Sequence, residues 1–281
     1  MRRERDAPHE RRRAKGVPVT PWQQLDRELD AWRDGGRRAT LWCRDDDVCR
    51  DSPALQQLLG IATAAQVPIA LAAIPAGLEP SLVDAVAASN TVTVIQHGYA
   101  HRNHAPPGAR KSELGTHRAV GAIVEDLRQG RAALAGGFGE RFAAVLVPPW
   151  NRIAPEIVLR LPDAGFHGLS TFGPRAAASP AAGLVQCNTH VDLIAWRDGR
   201  VFVGADHAIG CLLEHLKARR EGRADVSEPS GILTHHLDLD DAGWRFLTEL
   251  MAHTREHGAV EWLSVNAAFG AAPPVTSGRS A

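Results

Sequence analysis

The chain is predicted to fold as a single α/β domain, a mostly parallel sheet with helices packed outside it. Three observations predict this. Short apolar runs alternate with amphipathic stretches of helical period along most of the 281 residues. Polar motifs follow directly on those apolar runs, the arrangement expected where function collects at the carboxyl ends of parallel strands. Fifty residues separate Asp47 from His97, and 47 separate His101 from Pro148. Each interval has room for one or two β-α units of roughly 30 residues.

The elements follow in order. Thr20 is placed to cap a helix that opens on Pro21 and runs to about Asp34. Leu25, Leu29 and Trp32 share its face, and Gly35-Gly36 stop it. Ala39 to Cys43 reads as the first strand, delivering Asp45-Asp46-Asp47 at its end. Ser52-Pro53 starts the second helix, with Leu55, Leu58, Leu59 and Ala62 inward. Val67 to Ile74 is an apolar run bounded by proline, a buried strand. Pro80 to Ser89 is a short helix, and the β-branched run from Thr91 to Ile95 is a strand that ends on Gln96-His97-Gly98.

Leu114 to Leu134 has helical period, Ala143 to Val147 is a strand stopping at Pro148-Pro149-Trp150-Asn151, and Pro155 to Leu161 is a helix. Gly168 to Thr171 is a short strand, Arg175 to Gly183 a loop of small residues, and Val185 to Val191 leads to Asp192. Asp198-Gly199 marks a hairpin-like turn. Gly210 to Arg220 reads as a helix, followed by a charged, mobile segment from Arg219 to Pro229. Gly231 to Thr234 is a strand running into His235-His236, Asp241 to His257 a helix, and Val260 to Leu263 the last strand.

Composition narrows the function. Apolar residues make up 44% and charged residues 23%, an ordinary globular balance. Lys+Arg and Asp+Glu are both 32, so nothing favours nucleic acid or an anionic membrane. No apolar run reaches the roughly 18 residues of a membrane helix. Cys43, Cys49, Cys187 and Cys211 contain no CxxC spacing and read as reduced packing residues. Residues 1–18 are expected to be a disordered arginine-rich tail and not a secretory signal, which points to the cytoplasm. Residues 19–270 form the domain, and the Gly/Pro/Ser-rich 271–281 are a second tail. Oligomeric state is not legible.

The chemistry sits in four motifs. Three adjacent carboxylates repel one another, so a chain keeps Asp45-Asp46-Asp47 where a cation, a proton-transfer role or water stabilises it. His97 and His101 are spaced i, i+4; in a helical turn both imidazoles share a face with His104 behind them, and Asn103 is loop. Two histidines and one carboxylate would complete the three protein ligands of a catalytic zinc-type site. Two prolines before Trp150-Asn151 fix the backbone and leave both N–H groups free to face a pocket, as an oxyanion donor would. His235, at the end of an apolar strand, is a natural proton donor.

Taken together, Asp45-Asp46-Asp47, His97-Gly98-Tyr99-Ala100-His101, Pro148-Pro149-Trp150-Asn151 and Leu233-Thr234-His235 resemble the polysaccharide deacetylase family, the NodB homology domain, in order and approximate spacing from about residue 40 to 265. The resemblance implies a distorted (β/α) barrel of the (β/α)7 type and metal-dependent removal of an N- or O-acetyl group from a carbohydrate. It implies one divalent ion, zinc first, with cobalt, nickel or manganese also suited to an Asp-His-His site.

Matching Asp46-Asp47 to the family's paired aspartates makes Asp46 the base and Asp47 the ligand beside His97 and His101; matching Asp45-Asp46 shifts both roles by one. Val48 and Arg44 then take the family's glycine and threonine positions in the first register, which is preferred. Pro149, Trp150 and Asn151 would bind the oxyanion or substrate, and His235 would be the acid. Val147 stands where the family has the arginine that orients the base, leaving Arg44 or Arg152 to serve. Asp192 with Trp196 faintly echoes the aspartate that tunes the catalytic histidine. Two other readings stay open: a non-catalytic carbohydrate-binding barrel that keeps the metal, and another metal hydrolase such as a phosphoesterase.

Overall fold

The strands line up so that every motif at a carboxyl end reaches the same mouth. The computed structural model describes residues 19–270; the two expected tails lie outside the described residues. In order, the chain runs α1 (Pro21–Asp34), β1 (Ala39–Val48), α2 (Pro53–Ala65), β2 (Ile69–Ala73), α3 (Pro80–Ala87), β3 (Val92–His97), α4 (Val120–Phe138), β4 (Phe142–Val147), α5 (Pro155–Val158), β5 (Gly168–Leu169), β6 (Val185–Gln186), β7 (Val191–Asp192), β8 (Ile194–Ala195), β9 (Val201–Phe202), α6 (Ala205–Arg220), β10 (Ser230–Thr234), α7 (Asp241–Glu256), β11 (Val260–Trp262) and α8 (Val265–Phe269). The main sheet is parallel throughout, ordered β6-β5-β4-β3-β2-β1-β10-β7, with β11 paired to the start of β1. It curls into an open barrel with helices outside, a (β/α)7-type barrel in a single domain. Among the named strands of the described residues, the β8–β9 hairpin is the antiparallel pair.

Helix starts follow their caps. Thr20 accepts from the Gln23 N–H while the Gln23 side chain accepts from the Thr20 N–H, a complete capping box worth about 1 kcal/mol. Ser52 and Asp240 cap α2 and α7 the same way through their side-chain oxygens.

Side-chain alternation along β1 sets the two layers. Leu41 and Cys43 pack outward against the helices, while Trp42 points into the barrel with Ala70, Ala72, Ile95, Val145 and Val147. Arg44 and Asp46 continue the inward series. The short helix α8 plugs the amino-terminal end, where Phe269 meets Trp42 edge-on at 5.5 Å. Gly168 is required there, since a Cβ would sit 2.6 Å from Val145 and 2.8 Å from Phe269.

Several boundaries differ from expectation. β1 does not stop at Cys43 but carries all three aspartates to Val48, because Arg44 on the same strand pairs with Asp46 and His236, just past β10, pairs with Asp45. α4 starts at Val120, and residues 98–119 are a long loop over the mouth. α6 begins at Ala205, five residues before the glycine read as its start. The charged stretch expected to be mobile is anchored: Arg219 and Glu228 are both buried. α8 has no counterpart in the sequence reading. All four cysteines are free, as read. No helix among the described residues is long and apolar enough to cross a membrane.

Arg219 and Glu228 belong to a buried polar network behind β10. His190 Nδ1 accepts from the Gly231 N–H at 3.0 Å, His215 stacks on His190 at 3.4 Å, and Arg219 and His215 both reach Ser230 Oγ. Burial first, then the charges of His190 and Arg219, push the His215 pKa down to about 2. The fold therefore holds His215 neutral while the unfolded chain titrates near 6.5. That contribution is fully present above pH 6.5 and is lost as pH falls below it, at up to about 1.4 kcal/mol per pH unit. Thermal melts between pH 7 and 5 should fall steeply, and His215→Gln should flatten the slope. An unchanged slope in the variant would refute the assignment.

Candidate active site

Register alone brings the motifs together. Asp45 pairs with Leu71 on one side and Thr234 on the other, Ala73 with Gln96, and His97 with Val147. The carboxyl ends of β1, β3, β4 and β10 thus surround one cavity of about 930 Å³. Asp46, Asp47, His97, His101, Trp150 and His235 all line it.

β1 uses its three carboxylates in three ways. Asp45 faces away from the cavity. Its Oδ1 accepts from Thr234 Oγ1 (2.7 Å) and the His236 N–H (2.8 Å), and its Oδ2 lies 2.6 Å from His236 Nδ1. Asp45 is thus withdrawn from the catalytic position left open for it, because a buried carboxylate on the outer face has been paired to His236. Asp46 faces inward, almost fully buried against Arg44: Nη2 donates to Oδ2 at 3.0 Å and Nε lies 2.8 Å from Oδ1. At Asp47 the pairing with β2 slips and φ turns to 68°, a bulge that swings this side chain to the cavity as well.

Asp47 Oδ1 lies 3.1 Å from His97 Nε2 and 3.3 Å from His101 Nε2. It is buried without a hydrogen bond, and the three ligand atoms converge closely enough to hold a metal ion. His97 Nδ1 donates to the Val147 carbonyl at 3.1 Å, which orients the ring with Nε2 aimed at Asp47. Burial would raise the Asp47 pKa, but the His97 contact and the charges of His97, His101 and His235 outweigh it and hold the carboxyl well below its usual range. These donors fit a divalent ion.

The two histidines do not share a helical face, as their spacing suggested. Gly98 (φ 55°) and His101 (φ 52°) turn the chain back in a loop, and His104 points to Arg118 instead of the cavity. Sequence reasoning missed the organiser of this loop, Glu113. Its buried carboxylate accepts from the N–H groups of Tyr99 (3.1 Å), Ala100 (2.8 Å) and Arg102 (3.4 Å). A Cβ on Gly98 would lie 2.0 Å from Glu113 Oε2 and 2.6 Å from Pro149, so only glycine fits. A lone glutamate outside any motif gives no signal in the sequence. Asn103 Oδ1 braces the loop through the Ala105 and Ser112 N–H groups.

On the β4 side, Pro149 is buried under Gly98 and Trp150 packs on His101, ring centroids 4.5 Å apart. Only one of the two expected backbone donors is free. The Asn151 N–H closes the turn onto the Pro148 carbonyl at 2.8 Å, whereas no hydrogen bond of the Trp150 N–H is found among the described residues. Asn151 Oδ1 accepts instead from Arg44 Nη2 at 2.9 Å. Arg44 also donates to Ser170 Oγ at 2.7 Å. Arg152 donates to the Lys111 carbonyl and has no contact with Asp46. The guanidinium on the inward carboxylate is therefore Arg44.

His235 lies edge-on to Trp196 at 4.6 Å, with its Nδ1 buried and unpaired. Asp192 lines the cavity beside them, accepting from Trp196 Nε1 at 2.7 Å; burial raises its pKa against the opposing charge of His235. Five of the six non-glycine residues with positive φ among the described residues, Asp47, His101, Trp150, Asn151 and Arg200, line this cavity. Such strain, of order 1–3 kcal/mol per residue, concentrates where a site dictates geometry.

A second group, His190, His215 and Glu228, also brings three donors together. Because His190 Nδ1 accepts from the Gly231 N–H, its Nε2 carries the proton and points it at Glu228. This group is a hydrogen-bonded brace and a poor metal site.

No family model matches the sequence, and no curated protein does. Solved structures match the fold. A family 4 carbohydrate esterase from Streptomyces lividans, in complex with acetate, aligns at TM-score 0.53 and 16% identity over 84% of this chain and 98% of that one. A peptidoglycan N-acetylglucosamine deacetylase aligns at 0.53 and 15%, over 83% and 88%. A family 4 pseudoenzyme from Bacillus anthracis aligns at 0.50 and 14%, over 79% and 63%. The fold is thus the barrel of the polysaccharide deacetylases, and it is shared by active and inactive proteins alike.

Proposed function

We propose that the chain is a divergent polysaccharide-deacetylase-type hydrolase that removes an acetyl group from an N-acetylated, or O-acetylated, carbohydrate. The observation that carries this reading is the convergence of Asp47, His97 and His101 beside an inward Asp46 and His235 in one cavity. A divalent ion there, zinc first, would polarise the acyl carbonyl and acidify a bound water.

The chain's own groups supply the rest. Asp46, fixed by Arg44, accepts the proton of the attacking water. The Trp150 N–H faces the developing oxyanion. His235 protonates the departing amine, and Trp196 and Asp192 hold that wall of the cavity in place. Arg44 gives Asp46 the guanidinium that Val147 cannot, which weighs against a barrel that merely binds. A two-metal phosphoesterase would need a second ligand cluster about 3.5–4 Å away, and the other donor group is a separate brace behind β10.

The test is acetate release from N-acetylglucosamine and its β-1,4 dimer by the protein stripped of metal and reloaded with zinc, cobalt, nickel or manganese. Turnover that appears with reloading and is lost on Asp46→Asn supports the reading. Stoichiometric metal without turnover on any N- or O-acetylated sugar would favour a binding barrel.

A further inference from the structure

The rim of the cavity differs in character from its floor. Carboxylates and imidazoles make the floor. The rim carries Lys111, Arg152, Arg197 and Arg200, contributed by the loop of residues 98–119, the turn after β4 and the β8–β9 hairpin. The chain as a whole has no net charge, so this is a local concentration. Most of the rim is unneutralised. Arg200 pairs with Asp238 at 3.0 Å, but among the described residues no carboxylate lies within 4.0 Å of the charged groups of Lys111, Arg152 or Arg197.

The floor's carboxylates do not compensate. Asp46 is paired with Arg44 and Asp47 with the two histidines, while Asp192 accepts from the Trp196 and Ile194 N–H groups and has His235 as its charged neighbour. A divalent ion on the floor would add further positive charge. Two of the cations stand over aromatic rings of the cavity: Lys111 Nζ is 5.9 Å from the Trp150 ring, and the Arg200 guanidinium 5.3 Å from Trp196. A sugar between those rings, its acyl group at Asp47, would turn its outer substituents toward the free cations.

We infer that the preferred ligand is an acylated sugar bearing an anionic group, phosphate or carboxylate, that pairs with Lys111, Arg152 and Arg197. This rests on the deacetylase reading for the placement of the acyl group. The cavity, near the upper end of the roughly 300–1,000 Å³ usual for small-molecule sites, has room for such a substituent. A neutral sugar would form no ion pair with these three cations.

Calorimetric titration of the metal-loaded protein with N-acetylglucosamine, N-acetylglucosamine 1-phosphate and N-acetylmuramic acid tests this. At low ionic strength at least one charged sugar should bind about tenfold or more tightly than the neutral one, with a gap that narrows at high salt. Which charged sugar gains identifies the anion. The double variant Lys111→Ala/Arg197→Ala should remove most of the gain. Equal affinity for charged and neutral sugars, or a preference undiminished in the double variant, as direct contact of phosphate with the metal would give, overturns the inference. Acetate release is scored separately. A charged preference without hydrolysis would sink the deacetylase reading and leave the anionic ligand standing; hydrolysis without preference would do the reverse.

Discussion

Asp47→Asn is expected to reduce turnover to background and to weaken metal binding by more than about a hundredfold, beyond the 10–100-fold typical of residues that only orient a ligand. The substitution isolates the ligand function unusually well. Asparagine is isosteric with aspartate and is among the residues that best tolerate the left-handed backbone, here φ 68°. What it removes is the one negative charge on which His97 and His101 converge at 3.1 and 3.3 Å. Losing several kcal/mol of transition-state stabilisation corresponds to about a thousandfold or more in rate. Metal content by elemental analysis, turnover and the melting temperature should be measured together. Loss of metal and activity at an unchanged melting temperature is the expected pattern. A variant that keeps stoichiometric metal would move the ligand role elsewhere, and His97→Ala would then decide whether the imidazoles are involved at all.

The parallel sheet and the mouth that holds the motifs were legible because apolar runs and strand ends are encoded locally. β2 and β3 stand close to where the apolar runs placed them, and the motifs after β3, β4 and β10 fall at strand ends as read. Less legible was anything decided by a partner distant in sequence. The apolar run predicts that β1 ends at Cys43, since charged residues are expected at the surface. It continues because Asp45 meets His236, 191 positions away, and Asp46 meets Arg44 two positions back on the same inward face. The spacing of His97 and His101 suggested a helix; a glycine at φ 55° and the buried Glu113 make it a loop that still brings both rings to Asp47. Convergence of the candidate ligand atoms can thus arise from a local geometry that the spacing did not suggest, since a metal site needs only three atoms brought together.

Arg44→Met should be the most damaging single change at the site that touches no candidate ligand. Its side chain is fully buried, and it is the meeting point of Asp46, Asn151 and Ser170. Methionine fills much of the same volume but leaves the Asp46 carboxylate buried without its guanidinium. Breaking a buried ion pair from one side costs about 3–5 kcal/mol, a loss visible in chemical denaturation. The activity loss should exceed what partial unfolding explains, because Asp46 and Asn151 lose their common anchor and misplacement of a general base forfeits much of its usual 10²–10⁴-fold contribution, about 3–5 kcal/mol of barrier. Two further variants separate anchoring from bulk stability. Arg44→Lys restores the charge but not the fork that reaches three partners at once, so it should recover most of the stability and little of the turnover. Asp46→Asn added to Arg44→Met removes the orphaned charge, so the double variant should be more stable than Arg44→Met alone while remaining inactive. If Arg44→Lys restores turnover in proportion to stability, Arg44 is a buried brace and the base is oriented by something else.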